Sequence, residues 1–234
     1  MLNYEVDPAL LLGRVPRGTQ LDAWSGTTFV SLVGFLFART RVLGVPVPLH
    51  RTFEEVNLRF YVKRTVDGDV RRAVTFIREL VPRIAIATVA RLAYNEPYTA
   101  VPMRHRYGLV GDGGVPASVE YGWKAGDEWS SMRVTPVGSG ALALPESEEE
   151  FITEHYWGYT RQRDGSTVEY RVAHPRWRVW SVEDLQLHGD LDVAYGTELA
   201  QVLRSPPSSA FLADGSAVTV GRPVRLPPAA DADG

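Results

Sequence analysis

Cysteine is absent from this 234-residue chain, and lysine is scarce. The lack of cysteine excludes disulfide bonds, thiolate nucleophiles and zinc sites with cysteine ligands. Lys63 and Lys124 are the only lysines, so arginine carries nearly all of the positive charge. Any reaction that needs a side-chain amine must therefore use one of these residues.

Long apolar runs and basic blocks are also missing. No window approaches the roughly 20 apolar residues of a membrane-spanning helix, and the first residues do not combine a charged segment with a long apolar run. Lys+Arg 25 against Asp+Glu 28 gives a formal net charge of −3, without the basic patch that nucleic-acid-binding proteins carry. We expect a cytoplasmic protein that binds neither membranes nor nucleic acids.

The sequence shows no familiar metal-binding or hydrolase motif. Its five histidines are far apart and form no HExxH pair, and no GxSxG element occurs. Gly111 to Gly114 is predicted to join two strands rather than open a helix, so it does not predict a phosphate loop. We expect no metal ion and no cofactor. His105 and His155 remain candidates for general bases, although a structural role is commoner for isolated histidines.

The most informative stretch is a predicted strand with two different faces, between Thr52 and Arg64. Apolar residues alternate there with residues that carry polar groups, namely Glu55, Asn57, Arg59 and Tyr61. Such strict alternation is typical of a β-strand. Asp67-Gly68 is a two-residue type I′ hairpin signal, and a second alternating run from Val70 to Leu80 follows it.

The hairpin predicts a cluster of polar side chains. Counting back from the Asp67-Gly68 turn places Asn57 opposite Arg78, with Glu55 and Arg59 as diagonal neighbours at roughly 7 Å. Two interpretations are open at this point. The cluster is either a solvated sheet face with cross-strand ion pairs or the wall of a polar pocket, and the aromatic residues that share the face favour a pocket.

Short strands separated by turns recur along the rest of the chain, which predicts a β-rich protein with a few helices. Further strands are expected at residues 19–24, 28–41, 99–110, 116–124, 129–137, 157–163, 167–173, 177–187 and 217–224, with a loop at 43–49. Helices are expected at residues 9–12, 82–93, 146–156 and 193–203. We predict a single domain over residues 1–226 and a disordered tail over 227–234.

Several motifs resemble the YqjF-like proteins, a family of unknown function. They are FEEVNLRFYV from Phe53, REL from Arg78, LAYNEPY from Leu92, EEFITEHYWGYTR from Glu149 and EYRVAHPRWRVW from Glu169. That family in turn resembles, more distantly, the acetoacetate decarboxylase superfamily. The resemblance implies an α+β fold, mainly antiparallel β, in which a bent sheet closes into a barrel-like cone around a small cavity, with a few flanking helices.

The resemblance also implies that one piece of chemistry is lost. In the decarboxylases a lysine after a Gly-aromatic-Pro element forms a Schiff base with a β-keto acid. The matching element here is Asn95-Glu96-Pro97, and Tyr98 and Thr99 occupy the lysine positions. Lys63 and Lys124 lie near turns, where we expect hydrated amines that do not form imines.

The cavity itself is expected to remain. By the same resemblance, Arg59 and Arg78 would hold a substrate carboxylate, and Glu55 would be a proton donor or acceptor. Tyr98 would point where the amine stood in the decarboxylases. Asn57 and Tyr61 complete the predicted ligand-binding set.

Three functions are open at this stage. The chain is an enzyme that performs imine-free acid/base chemistry on a small organic acid or keto compound, a non-catalytic ligand-binding or sensing module, or a protein-interaction domain. The last would use surface tryptophans, for which the candidates are Trp123, Trp129, Trp157, Trp177 and Trp180. A homo-oligomer is compatible with all three.

Overall fold

The computed structural model describes residues 1–38, 41–42, 45–46, 52–82, 97–108 and 115–226, with 41–42 and 45–46 described by their backbone alone. The helices in these ranges are short: α1 (Ala9–Leu12), α2 (Glu148–Thr153), α3 (Asp192–Tyr195) and α4 (Thr197–Arg204). None of them is long and apolar enough to cross a membrane. The strands are β1 (Leu2–Val6), β2 (Gln20–Leu21), β3 (Thr28–Ala38), β4 (Arg41–Val42), β5 (Val45–Pro46), β6 (Thr52–Val66), β7 (Asp69–Val81), β8 (Tyr98–Ala100), β9 (Met103–Tyr107), β10 (Val119–Trp123), β11 (Ser130–Leu142), β12 (Trp157–Arg161), β13 (Thr167–Ala173), β14 (Arg178–His188), β15 (Ser209–Ala213), β16 (Thr219–Val220) and β17 (Val224–Arg225).

Most strands join one sheet of mainly antiparallel pairs. Neighbouring strands follow the order β16-β13-β12-β7-β6-β3-β1-β15-β14-β11-β10-β9. The exceptions are parallel pairs that β7 makes with β12 and with β8. The prediction of a mainly antiparallel β fold with few helices is confirmed. Over the described residues this path is open, so its closure into a barrel-like cone stays a prediction.

The β6–β7 hairpin is the longest ladder and begins at the predicted turn. Asp67 and Gly68 have φ angles of 51° and 89°, as a type I′ turn requires of its two central residues. Val66 pairs with Asp69, and the predicted register continues as far as the pair Arg59 and Phe76. The turn chemistry and the alternation therefore predicted this part of the ladder correctly.

Beyond that pair the predicted register is wrong by one residue. Leu58 pairs with Arg78 rather than Ile77, and Asn57 pairs with Glu79 rather than Arg78. Ile77 is thus an extra residue on β7, which is a β-bulge. Because Ile77 packs against the core and Arg78 stands opposite Leu58, both side chains lie on the same side of the ribbon.

The two sides of the ribbon are named by their residues. The main-core face is formed by Val56, Leu58, Phe60 and Val62 of β6, and it packs against residues of β10, β11, α3 and α4. The second face is formed by Glu55, Asn57, Arg59 and Tyr61 of β6, Glu79 of β7 and Tyr98 of β8. A smaller apolar cluster, which includes Tyr61, Phe151 and Ile152, packs α2 onto the second face.

Local signals explain how α2 starts. The side chain of Ser147 accepts a hydrogen bond from the Glu150 amide at 3.2 Å, and the Glu150 carboxylate accepts one from the Glu146 amide at 2.7 Å. This reciprocal arrangement resembles a capping box, which stabilises a helix N-terminus. The helix ends at Thr153, three residues earlier than the sequence predicts.

Other expected elements differ in extent. The predicted helix 193–203 is divided at Gly196, whose φ of 78° interrupts helical geometry. The closing strand expected at 217–224 is replaced by the two-residue strands β16 and β17, and β15, which joins β1 to β14, was not predicted. The helix expected at 82–93, the turn at 111–114 and the tail at 227–234 lie wholly or almost wholly outside the described residues.

Candidate functional site

The second face holds two carboxylates at its β8 end. Glu55 is 2% exposed and Glu79 is 1% exposed. Asn57 Nδ2 donates a hydrogen bond to Glu55 Oε1 at 3.1 Å, and the Tyr98 hydroxyl donates to Glu55 Oε2 at 3.4 Å. Because these acids are buried, the interpretation of a solvated sheet face is wrong for this end of the ribbon.

Sequence reasoning missed Glu79. Its position follows from the bulge, which sets Glu79 directly opposite Asn57, where side chains lie about 5 Å apart on one face. The regular register instead assigned that position to Arg78. The local sequence Arg78-Glu79-Leu80, in which Glu79 follows another charged residue, gave no separate signal that its carboxylate is buried.

Arg59 lies further along the second face and has no carboxylate partner among the described residues. Its Nη2 donates to the carbonyl oxygen of Ile152 at 3.1 Å and contacts the Met1 sulfur at 3.8 Å. Its Nε is buried without a hydrogen-bond partner in the described chain. Arg59 is therefore a half-buried cation that retains capacity to bind an anion.

The hydroxyl of Tyr61 is hydrogen-bonded within the fold. The oxygen lies 2.6 Å from Ser31 Oγ, which in turn donates to Asn3 Oδ1 at 2.7 Å. The Tyr61 ring packs 5.0 Å from the Phe151 ring and 4.7 Å from the His155 ring. Tyr61 therefore anchors the face to β3 and β1, and its aromatic ring rather than its hydroxyl is turned toward α2.

His155 follows α2 and covers the Tyr61 ring. It is 5% exposed, and neither ring nitrogen makes a hydrogen bond of normal geometry within the described residues. Burial holds the pKa of His155 well below 6.5, and the positive charges of Arg59 and Arg72 lower it further, against a smaller opposing contribution from the Ile152 carbonyl. The imidazole is therefore neutral at pH 7.

Unpartnered polar atoms follow one another along this surface. They are Asn57 Oδ1, Arg59 Nε and both ring nitrogens of His155, each without a hydrogen bond to the described residues. Successive same-face residues of a strand are about 7 Å apart, so these atoms spread over a length suited to a small organic molecule. Buried polar atoms without partners are uncommon in native proteins and call for a ligand, a water or a functional role.

Arg78 does not join the second face, which corrects the predicted cluster. The bulge turns its side chain to the main-core face, where Nε donates to the Ala194 carbonyl oxygen at 3.1 Å and Nη1 donates to Thr99 Oγ1 at 3.1 Å. The predicted convergence of Arg78 with Glu55, Asn57 and Arg59 is therefore wrong. Thr99 is therefore bound to Arg78.

Both lysines are partly exposed to solvent. Lys63 has 39% of its side chain exposed and forms an ion pair with Asp22 at 3.4 Å. It lies eight residues from Glu55 along β6, which is about 26 Å. Lys124 follows β10 and is half-exposed. The prediction of hydrated lysines agrees with these positions.

The tryptophans differ in their exposure. Trp123 is fully buried in the main core, so its assignment to a surface was wrong. Trp129, 38% exposed, lies under Arg104, with the guanidinium carbon 4.3 Å from the ring centroid. Trp157 and Trp177 are half-buried beside Arg71 and His174 respectively.

A surface groove of about 500 Å³ lies apart from the polar cluster. It is lined by residues of β1, α1 and α4 and the turn between β1 and α1, namely Glu5, Val6, Asp7, Ala9, Leu10, Glu198 and Val202. Asp7 already accepts a hydrogen bond from the Ala9 amide at the start of α1. None of the predicted site residues contributes to this groove.

Comparison with solved structures shows the class of fold. An acetoacetate decarboxylase from Legionella pneumophila superposes with a TM-score of 0.59 at 13% identity, covering 97% of this chain and 80% of that one. An acetoacetate decarboxylase-like enzyme from Sphingomonas wittichii gives 0.58 at 15% identity over 97% and 89% of the two chains. The enduracididine biosynthesis enzyme MppR, complexed with pyruvate, gives 0.58 at 13% identity over 96% and 81%. The fold is therefore acetoacetate decarboxylase-like, as the sequence motifs indicated.

Sequence comparison then defines the family. The chain belongs to DUF2071, a family of uncharacterized conserved proteins, whose profile matches residues 1–217. The protein YqjF of Bacillus subtilis (strain 168) is 28% identical over 186 residues, which cover 77% of this chain and 72% of YqjF. The resemblance to YqjF-like proteins is thus confirmed.

Proposed function

We propose that this protein binds a small keto or carboxylate compound on the second face and that Glu55 exchanges a proton with it. The observation that carries the proposal is the row of buried, unpartnered polar atoms that includes Asn57 Oδ1 and Arg59 Nε. A bound polar molecule would satisfy these atoms, whereas leaving them unsatisfied costs roughly 1–3 kcal/mol each. A cavity over this face, within a sheet that closes as a cone, is part of the proposal.

Arg59 is the residue that would hold a carboxylate. Arginine keeps its charge at any ordinary pH, and its planar guanidinium matches the two oxygens of a carboxylate. In the described chain Arg59 binds a carbonyl oxygen and no acid. An incoming carboxylate would therefore not have to displace an acid of the described chain.

Glu55 and Tyr98 would supply the acid/base chemistry. An ionised Glu55 carboxylate would remove a proton from the carbon next to the keto group, and the electron pair of that C–H bond would move onto the keto oxygen as an enolate. Hydrogen-bond donors such as the Tyr98 hydroxyl would stabilise the enolate oxygen. The proton on Glu55 then returns to the same carbon. No imine is required, in agreement with the lack of a suitable lysine.

Solvent exchange of α-hydrogens tests the catalytic part of the proposal. Pyruvate is the first probe because a protein of the same fold binds it. In deuterated water, the wild type should accelerate loss of the pyruvate methyl proton signal, and Glu55→Gln should abolish that acceleration. Glu54→Gln is the matched control, since Glu54 is the neighbouring residue on β6 and pairs with His105 instead. Equal rates for the wild type and Glu55→Gln would refute a role for Glu55.

Thermal unfolding against a panel of small keto acids and carboxylates tests binding. A ligand at 100 times its dissociation constant adds about 2.7 kcal/mol, which raises the midpoint of a chain of this size by roughly 5–10 °C. Arg59→Gln should reduce the shift, and Arg14→Gln, which removes the charge of an exposed arginine after α1, should keep it. Binding without α-hydrogen exchange would identify a non-catalytic ligand-binding module. If no compound shifts the wild type, the proposal fails.

A further inference from the structure

The main-core face contains one guanidinium group that has no acid beside it. Arg78 is half-buried and donates to two neutral acceptors, the Ala194 carbonyl oxygen and the Thr99 hydroxyl. Within the described residues it forms no ion pair, and its Nη2 makes no hydrogen bond. Since an arginine side chain does not lose its proton in proteins, a full positive charge is held here without a counter-charge from the described chain.

Two neutral donors in the same region are also unpartnered. The Tyr195 hydroxyl, on α3, and the Trp123 indole Nε1, on β10, are both buried without hydrogen bonds to the described residues. The two rings meet edge to face with centroids 6.4 Å apart. Burial raises the pKa of Tyr195 strongly and the nearby charge of Arg78 lowers it only slightly, so the phenol keeps its proton and is able to donate.

The three groups have complementary chemistry for one kind of ligand. Guanidinium and indole N–H groups only donate, and a protonated phenol readily does so. Their natural partner is a group with several acceptor oxygens and a negative charge. A neutral ligand would satisfy the phenol and the indole and would leave the charge of Arg78 without compensation.

We propose that Arg78, Tyr195 and Trp123 form a binding site for a small oxyanion, either a carboxylate or inorganic phosphate. Thr99 and the Ala194 carbonyl orient the guanidinium by fixing Nε and Nη1, which leaves Nη2 for the ligand. The site lies on the face of the ribbon opposite to Glu55 and Arg59. It therefore does not depend on the function proposed for the second face.

The indole proton of Trp123 gives a direct measurement of occupancy. In protein labelled with ¹⁵N-tryptophan, the indole N–H signal of Trp123 is assigned by its disappearance in Trp123→Phe. Acetate and inorganic phosphate are then titrated separately at constant ionic strength. We expect the Trp123 signal to shift and saturate with at least one of them, and the anion that saturates at the lower concentration identifies the ligand class.

Three variants separate this site from other causes of a shift. Arg78→Gln should abolish saturation, and Tyr195→Phe, which removes only an unpartnered oxygen, should weaken the affinity roughly tenfold or more. Arg14→Gln, a matched loss of charge at an exposed position after α1, should leave the titration unchanged. Tyr195→Phe also provides the test if Arg78→Gln does not fold.

Two results would overturn the inference. One is a Trp123 signal that responds to neither anion. The other is a response of the same size in the wild type, Arg78→Gln and Tyr195→Phe, which would show a general salt effect. Neither result bears on pyruvate exchange by Glu55, so the two proposals fail separately.

Discussion

The two faces of the β6–β7 ribbon are both buried, but they bury different kinds of side chain. On the main-core face, Val56, Leu58, Phe60 and Val62 are all 0% exposed and contribute apolar area. On the second face, Glu55 and Asn57 are equally inaccessible but bring a carboxylate and an amide into the interior. Burial of an apolar side chain stabilises the fold, whereas burial of a polar one costs free energy unless it is hydrogen-bonded.

This difference supports the ligand site proposed for the second face. Polar residues retained in a buried position without full hydrogen bonding are poor choices for stability alone. They are expected where a ligand supplies the missing contacts. The bulge at Ile77 then places Arg78 on the main-core face, opposite to Arg59 on the second face.

The largest expected effect comes from truncating the main-core face. Phe60→Ala should lower the free energy of unfolding by about 3–5 kcal/mol, because it removes a fully buried ring and leaves a cavity. Asn57→Ala, three residues earlier on the other face, should cost only about 1–2 kcal/mol, since it removes one hydrogen bond to Glu55. Urea denaturation of both variants measures the two losses. A loss for Asn57→Ala equal to that for Phe60→Ala would contradict the division of roles between the faces.

The strands and the turn of the β6–β7 ribbon could be predicted from the sequence because their signals are local. Alternation between Thr52 and Arg64 and the Asp67-Gly68 turn specify strands and register without reference to the rest of the chain. The register prediction failed at Ile77, since a bulge inserts a residue that no turn or breaker marks. A shift of a single position was enough to move Arg78 to the other face and to bring Glu79 in.

Contacts distant in sequence could not be predicted in the same way. His155 lies over Tyr61 because α2 packs on the second face, and the bond from Arg59 to the Ile152 carbonyl spans 93 residues. Periodicity describes one element at a time and does not say which element covers it. By contrast, Gly196 was a readable helix breaker, since glycine in the middle of an apolar helical pattern lowers helix stability by about 1 kcal/mol.

An effect of intermediate size is expected when the pH is lowered, because His155 on the second face makes the free energy of unfolding depend on pH. An unfolded histidine titrates near pH 6.5, and the pKa of folded His155 is well below that value. Below pH 6.5 the unfolded state therefore binds more protons, and the free energy of unfolding falls as the pH falls. At pH 5.5 the loss from this residue reaches at most about 1.4 kcal/mol, the limit set by the unfolded pKa, and above pH 7 it disappears.

His155→Leu isolates that contribution. The difference in unfolding free energy between the wild type and His155→Leu should change by up to about 1.4 kcal/mol between pH 7.5 and 5.5. His188→Leu serves as the control, because His188 is exposed on β14 and should leave the pH profile of the wild type nearly unchanged. If His155→Leu also follows the wild-type profile, the imidazole is not held neutral by the second face.

The smallest expected effect comes from removing one tyrosine hydroxyl. The same substitution, Tyr→Phe, is made at Tyr61 on the second face and at Tyr195, which packs against the main-core face. Tyr61→Phe removes a hydroxyl that contacts Ser31 at 2.6 Å, so it should lower the unfolding free energy by about 1 kcal/mol and the midpoint by roughly 2–4 °C. Tyr195→Phe removes a buried hydroxyl without a partner in the described chain, so without added anion it should leave the midpoint unchanged or raise it. Added acetate or phosphate should then stabilise the wild type and Tyr61→Phe more than Tyr195→Phe. Equal losses in the two variants, with or without anion, would mean that the Tyr195 hydroxyl already has a partner in the free protein, and the distinction between its unoccupied donor and the hydrogen-bonded Tyr61 would fail.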